Sequence, residues 1–421
     1  MKLNSDLEEQ IARNLDNPEK LESLYRENGR VFKTVIEKIY NQFPENILLK
    51  AWYYRLFFHL SHPAQKHTIN VWRLLVILLG VGLLAQVPVI TGLQADVFFA
   101  KNISLLVFPF ISICFFRNKQ STGRWMPYLL MVIFFMGAAL MNVMPFNPKS
   151  SSFLLSCLHL PVMLWVLTSV AYSGNTWPRR EDLIDYMRFT GDWIVMTAVL
   201  MIAGGLFSGL TLALFNMVEM SIESAFTSHF LFWGIAAVPI VAVWLIGIYP
   251  DLVSKVSPII AYVFGVLMAV MLFFFSIALF LNIGALYSNR EFLLVFDVLL
   301  LAVMAILVFS ISDRGSLMMS RFRVVLLVVL ACLAWVINLV ALSAIIYRIG
   351  EWGLTPNRTA VLGANVLLMI NLLFMIPKLW KARENEFYLG SAAQMAATFL
   401  PVYGAWAFIV SFVFPWLFSF S

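Results

Sequence analysis

Tyr347-Arg348-Ile349-Gly350-Glu351-Trp352-Gly353-Leu354-Thr355-Pro356-Asn357-Arg358 is a short polar link between two long apolar runs, at about 323–346 and 359–377, and its reading decides the fold. Gly353 is the residue type that takes φ > 0 where a helix stops. Thr355-Pro356 reads as a helix start, with the hydroxyl at the N-cap and the proline at N1, where no amide hydrogen is missed. One helix therefore ends near Gly350 to Gly353, and the next begins at Thr355. Arg348 falls at a helix C-terminus, where a cation is favoured by about 0.3–1 kcal/mol, whereas Arg358 falls at N3, where the dipole opposes it. Arg358 thus calls for an anion. Glu351 is the near candidate, and a bound phosphate or carboxylate the distant one.

Working outward from the link, the same apolar pattern recurs. Runs occupy about 72–93, 98–116, 125–145, 153–172, 192–215, 229–249, 258–286, 292–311, 323–346, 359–377 and 396–418. Each is long enough for a hydrocarbon core of about 30 Å at about 1.5 Å per residue. The chain has 421 residues, of which 61% are hydrophobic and 12% charged. A soluble domain carries roughly 25% charged residues, and the mean hydropathy of +0.85 agrees with the membrane reading. The predicted fold is all-α: a polytopic transmembrane bundle of about eleven spans over residues 72–421, with an amphipathic helical region at residues 1–71. The second span carries Lys101-Asn102 early and is expected to be tilted or re-entrant.

Tyr347-Arg348, Gly353-Leu354-Thr355, Arg358 and the apolar run from Val361 also resemble the signature region of a large bacterial family of multi-pass inner-membrane proteins, domain-of-unknown-function family 4153. The specific likeness covers about twenty residues, and the other apolar runs share only general hydropathy. It implies a bacterial inner membrane and a helical bundle, and it brings no activity with it.

Charge bias gives an orientation. With the N-terminus cytoplasmic, the inner loops hold Arg117, Lys119, Arg124, Arg179, Arg180, Arg188, Lys255, Arg314, Arg321, Lys378, Lys381 and Arg383, against Lys101, Lys149, Arg290, Arg348 and Arg358 outside. That asymmetry obeys the positive-inside rule. An odd number of spans then puts the C-terminus and the link at Tyr347 to Arg358 outside.

Residues 1–71 read as helices. Asn17-Pro18 starts one, Gly29 is a break point within it, and Pro44 permits a further start leading into Leu48 to Leu60. The aromatic-basic end Trp52-Tyr53-Tyr54-Arg55-Leu56-Phe57-Phe58 suits a helix in the bilayer interface, or one docking a protein partner. His59, His62 and His67 lie close together but have no carboxylate or thiolate nearby, so no metal site is expected. Cys114, Cys157 and Cys332 are dispersed in apolar runs, which argues against a disulfide framework. No cofactor is expected. Scattered basic residues give no nucleic-acid footprint, leaving membrane lipids as expected partners.

Ionisable and polar groups within spans are the functional candidates. Asp297 lies about six residues into the eighth run and must pair, protonate or face water. Glu219 and Glu223, one helical turn apart if helical, form an acidic outer segment expected to meet Arg348 and Arg358. Asn142, Asn282, Asn338, Asn365 and Asn371, with Gln86 and His159, supply interhelical hydrogen bonds. Gly204, Gly205 and Gly209 are small residues spaced for close helix packing. There is no His-Glu-x-x-His, Gly-x-Ser-x-Gly or Gly-x-x-x-x-Gly-Lys motif, so nothing at motif level marks an enzyme and no catalytic residue is nominated. Two function classes remain. One binds or translocates an ion, small solute or lipid through Asp297, Glu219, Glu223, Arg348, Glu351 and Arg358. The other is a sensor or assembly subunit that docks a cytoplasmic partner through residues 1–71.

The orientation is checked by labelling. A membrane-impermeant maleimide on intact cells should modify Glu351→Cys and leave Arg180→Cys untouched until the cells are opened; the opposite pattern would reverse the predicted topology.

Overall fold

The structure is a computed structural model that describes residues 2–43, 45–61, 70–116, 125–145, 147, 149–174, 177–217, 219–281, 290–312, 321–385 and 387–419. Every regular element among the described residues is helical. The chain divides into two compact units, Met1–Lys66 and His67–Ser421.

The first unit packs α1 (Lys2–Arg13), α2 (Pro18–Gln42) and α3 (Ile47–Ser61). Asn17 caps α2 by accepting a hydrogen bond from the Lys20 amide at 3.0 Å, with Pro18 at the first helical position. The helix continues through Gly29 without the expected break. A mid-helix glycine costs about 1 kcal/mol, and buried Leu21, Leu24, Phe32, Val35, Ile36 and Ile39 outweigh it by holding both halves on one core. Pro44, His62 and His67 lie outside the described residues, as does the His59 side chain.

Trp52 does not serve as an interfacial anchor: it is buried, with its ring 5.2 Å from Phe32 and 5.3 Å from Tyr25. Arg55 lies 4.6 Å over that indole and pairs with Glu22 at 3.2 Å. Tyr53 stacks on Tyr40 at 4.1 Å. Trp52, Tyr53 and Arg55 are therefore engaged within their own unit, while Tyr54 is exposed.

The second unit is a multi-pass membrane bundle. Its helices are α4 (Val71–Thr91), α5 (Ala95–Phe115), α6 (Met126–Val143), α7 (Ser151–Tyr172), α8 (Arg180–Met217), α9 (Glu223–Ile248), α10 (Pro250–Leu281), α11 (Arg290–Ser312), α12 (Arg321–Trp352), α13 (Pro356–Lys381) and α14 (Tyr388–Leu417). Ten of these are long and apolar enough to cross a membrane among the described residues, and α11 contributes the shorter apolar stretch Phe296–Ser312. The eleven helices coincide with the eleven apolar runs. α5 is one continuous helix, so the second run is not re-entrant. Lys101 stays in the helix because its ammonium donates to Met144 O at 2.7 Å and lies 5.7 Å over the Phe153 ring.

Two apolar cores hold the bundle. One gathers α10 to α14 around the base of α8, with Phe296, Leu330, Ile337 and Met375 at its centre. The other joins α4 to α7 with α9 around Phe115, Met141, Leu160 and Leu164. Between them run aromatic hydrogen bonds: Tyr186 Oη donates to Trp165 O at 2.7 Å, and Trp165 Nε1 donates to Thr190 Oγ1 at 3.0 Å.

Three glycines set close approaches. A Cβ on Gly363 would stand 2.0 Å from the Trp406 ring, one on Gly191 1.8 Å from Phe309, and one on Gly404 2.8 Å from Val166. By contrast, Gly204, Gly205 and Gly209 have nothing within 4 Å of a built Cβ. Their stretch of α8 is exposed, so the expected packing on these glycines does not occur within this chain. At 38 residues, α8 is about 57 Å long, well beyond a core of about 30 Å. Gly363→Ala should lower stability by about 1–3 kcal/mol through overpacking against Trp406, whereas Gly205→Ala, with open space for its Cβ, should raise it by up to about 1 kcal/mol. Thermal unfolding of both variants in one detergent checks the contrast.

Candidate functional site

The link between α12 and α13 adopts the local structure its residues dictate. α12 ends at Trp352, Gly353 takes φ +74°, and its amide donates to Ile349 O at 2.9 Å. Thr355 is the N-cap of α13, accepting from the Arg358 amide, and Pro356 opens the helix. Arg358 finds its negative partner in backbone carbonyls. Its guanidinium turns back to Trp352 O at 2.9 Å and Gly353 O at 2.7 Å, the negative end of the α12 dipole. It also lies 5.7 Å over the Trp352 ring, with Arg348 at 5.9 Å from the same ring. Leu354 and Glu351 are exposed, and no ion pair joins Glu351 to Arg358 among the described residues. Tyr347 stands with its ring 6.3 Å from Trp352, edge to face.

The acidic segment stands apart from this link. Glu219 sits in a left-handed turn at φ +58° just after α8, and Glu223 begins α9. They do not share a helical face, because the chain turns between them: the Met220 amide closes on Phe215 O at 3.0 Å. Both are exposed, and no described hydrogen bond or ion pair joins them to Arg348 or Arg358.

Asp297 lies where three helices meet. One oxygen accepts from Asn365 Nδ2 of α13 at 2.9 Å. The Asn365 backbone carbonyl accepts in turn from Asn338 Nδ2 of α12 at 2.9 Å. Asn338 is fully buried, and Asn365 is 1% exposed. Asp297 is about 10 Å along α11 from Arg290, and Asn365 about 14 Å along α13 from Pro356, so the group lies well inside the bundle. Two acceptors in it, Asp297 Oδ2 and Asn338 Oδ1, are buried without a hydrogen-bond partner. A second station follows on α13. Asn371 donates to Tyr403 Oη at 2.7 Å while its own Oδ1 is also buried without a donor.

No protein-family model, curated protein or solved structure matches the chain. What the site can do rests on its own geometry.

Other amide and histidine candidates of the spans find local partners, while Thr197 Oγ1, Trp335 Nε1 and Trp406 Nε1 are further buried polar atoms without a hydrogen bond. Asn102 and Asn142 exchange amide hydrogen bonds at 3.0 and 2.8 Å. Gln86 binds His229 twice, donating to its carbonyl at 2.8 Å and meeting its Nδ1 at 2.7 Å. His159 Nδ1 contacts Leu155 O of its own helix at 3.0 Å. Asn282 lies outside the described residues. No group of three or more His, Cys, Asp or Glu side chains could hold a metal among the described residues. Of the sequence candidates, the structure brings Arg348 and Arg358 together on Trp352 and leaves Glu219, Glu223 and Glu351 at the surface. Asp297 goes to partners that residue type alone did not single out. Tyr403 carried no signal beyond being a polar ring in an apolar run.

Asn365→Leu should destabilise the bundle by about 1–3 kcal/mol by leaving a buried acceptor without its donor. Asp297→Leu in the same chain should recover part of that loss. A double-mutant cycle by thermal unfolding reads the coupling, and strict additivity would count against a direct Asp297–Asn365 interaction.

Proposed function

We propose that this multi-pass membrane protein binds and translocates a monovalent cation, an alkali ion or a proton, through the buried Asp297–Asn365–Asn338 group. The supporting observation is the pair of buried oxygens, Asp297 Oδ2 and Asn338 Oδ1, that lack a donor. A carboxyl at this depth calls for a charge-balancing partner. One carboxylate with neutral amide oxygens balances a single positive charge, whereas a divalent ion would leave an excess. Asn371 and Tyr403, further along α13 and α14, offer the next oxygens on a path. In this reading Arg348 and Arg358 order the link and do not touch the cation. We also retain the resemblance of the link to family 4153 as a proposal, and with it a bacterial inner membrane and the predicted orientation.

The N-terminal unit favours a second reading, in which it docks a cytoplasmic protein partner. Met1–Lys66 is a compact unit with a core of its own. Deleting residues 1–66 would then release the partner and leave the bundle intact.

Cation binding is tested on purified protein in one detergent. Unfolding temperature should rise with sodium concentration or shift with pH in the wild type, and Asp297→Asn should abolish that dependence while unfolding cooperatively. A dependence unchanged in Asp297→Asn would reject the site. In vesicles, the same substitution should reduce cation flux by at least about tenfold.

A further inference from the structure

A groove with a volume of about 320 Å³ lies between α6, α7 and α14, on the side of α14 away from the polar group of α11 to α13. Every side chain lining it is apolar, Met136, Leu140, Met163, Leu167, Ala405 and Phe408 among them. Met136, Leu140 and Phe408 are exposed, so it opens on the outer surface of the bundle. Its shape is built into the chain. Gly404 lets α14 close onto Val166 of α7 at the floor. Just beyond, α14 widens into a π-turn at Ile409–Val413, which carries the lining residue Phe412. Single π-turns of this kind are frequently found at functional sites.

From Pro401 to Phe412 the groove follows α14 for about 16 Å. Water has no polar group here to hold it. A hydrocarbon chain suits this apolar lining, which opens on the outer surface of the bundle. At one end Trp177, exposed and just past α7, has the character of an interfacial anchor. Three residues further on, Arg180 is exposed and makes no described hydrogen bond or ion pair, while its neighbour Arg179 is taken by Asp182 at 3.3 Å. The Arg180 guanidinium, three residues from Trp177 in the chain and at the first residue of α8, suits a phosphate group.

We propose that this groove binds one acyl chain of an anionic phospholipid, with the headgroup at the Trp177–Arg180 end. In a bilayer the chain gains no hydrophobic energy over bulk lipid. Selectivity comes from dispersion contacts in a preformed slot and from the headgroup charge.

The full chain is reconstituted in vesicles of equal phosphatidylcholine and phosphatidylglycerol, with a trace of phosphatidylglycerol carrying a photoreactive acyl chain. Labelled peptides from α6, α7 and α14 should exceed the lipid-exposed stretch of α8 at residues 199–214 by about fivefold. Ala405→Trp should reduce groove labelling to the α8 level. Gly137→Leu, entering from α6 where a Cβ is 3.9 Å from Phe412, provides a second, milder filling variant. Arg180→Gln should reduce labelling by the phosphatidylglycerol probe and leave labelling by a phosphatidylcholine probe unchanged. Uniform labelling over all spans, groove labelling that survives both filling variants, or an Arg180→Gln protein that still prefers phosphatidylglycerol would each overturn the proposal.

Discussion

In hydrocarbon, an unpaired backbone amide or carbonyl costs several kcal/mol, and this constraint governs the architecture. It makes every span a helix and confines irregular backbone to places where side chains or neighbouring carbonyls supply the missing partners. The α12–α13 link shows how this is met. The free carbonyls of Trp352 and Gly353 are taken by Arg358, while Thr355 answers a free amide of the next helix. One arginine thereby satisfies the C-terminus of one helix from the first turn of the next. At α9 the same constraint appears as the side chain of Gln86 donating to the carbonyl of His229 within a π-turn.

Local chemistry was therefore legible in the sequence. Apolar run length located the spans, and Gly353, Thr355 and Pro356 located a turn, because each acts through its own backbone. Asn17 likewise capped α2 as read. The sequence misplaced partners that depend on tertiary geometry. Arg358 was read as needing an anion, Glu351 or a bound phosphate or carboxylate, since a carbonyl pair becomes an acceptor site only after the chain has turned. The segment from Trp52 to Phe58 was read as suiting the bilayer interface or a partner, because the burial of Trp52 against Tyr25 and Phe32 depends on how three helices pack. The glycines of α8 matched a packing pattern, yet among the described residues nothing lies within 4 Å of a Cβ built on them.

Asp297 was singled out by type and depth, but its neighbours could not be. Asn365 lies 68 residues away, and Asn338 a further 27 residues from Asn365. Several asparagines of the spans are equivalent as sequence, and only the fold separates them. Asn102 and Asn142 saturate each other, whereas Asn338 and Asn371 each keep a buried oxygen without a donor. This difference in saturation is what sets Asn338 and Asn371 apart from the asparagines that only join helices.

The rings seated in glycine notches bear on motion. Trp406 fills the space where Gly363 lacks a side chain, and Phe309 does the same at Gly191. Such seats act as bayonet fittings: α13 cannot slide one turn along α14, nor α11 along α8, without first withdrawing an aromatic ring from its socket. Slippage within those pairs is thus blocked, while tilting of a whole pair is not. The seated rings make each of these helix pairs a locked block, joined to its neighbours by hydrogen bonds such as Asp297–Asn365.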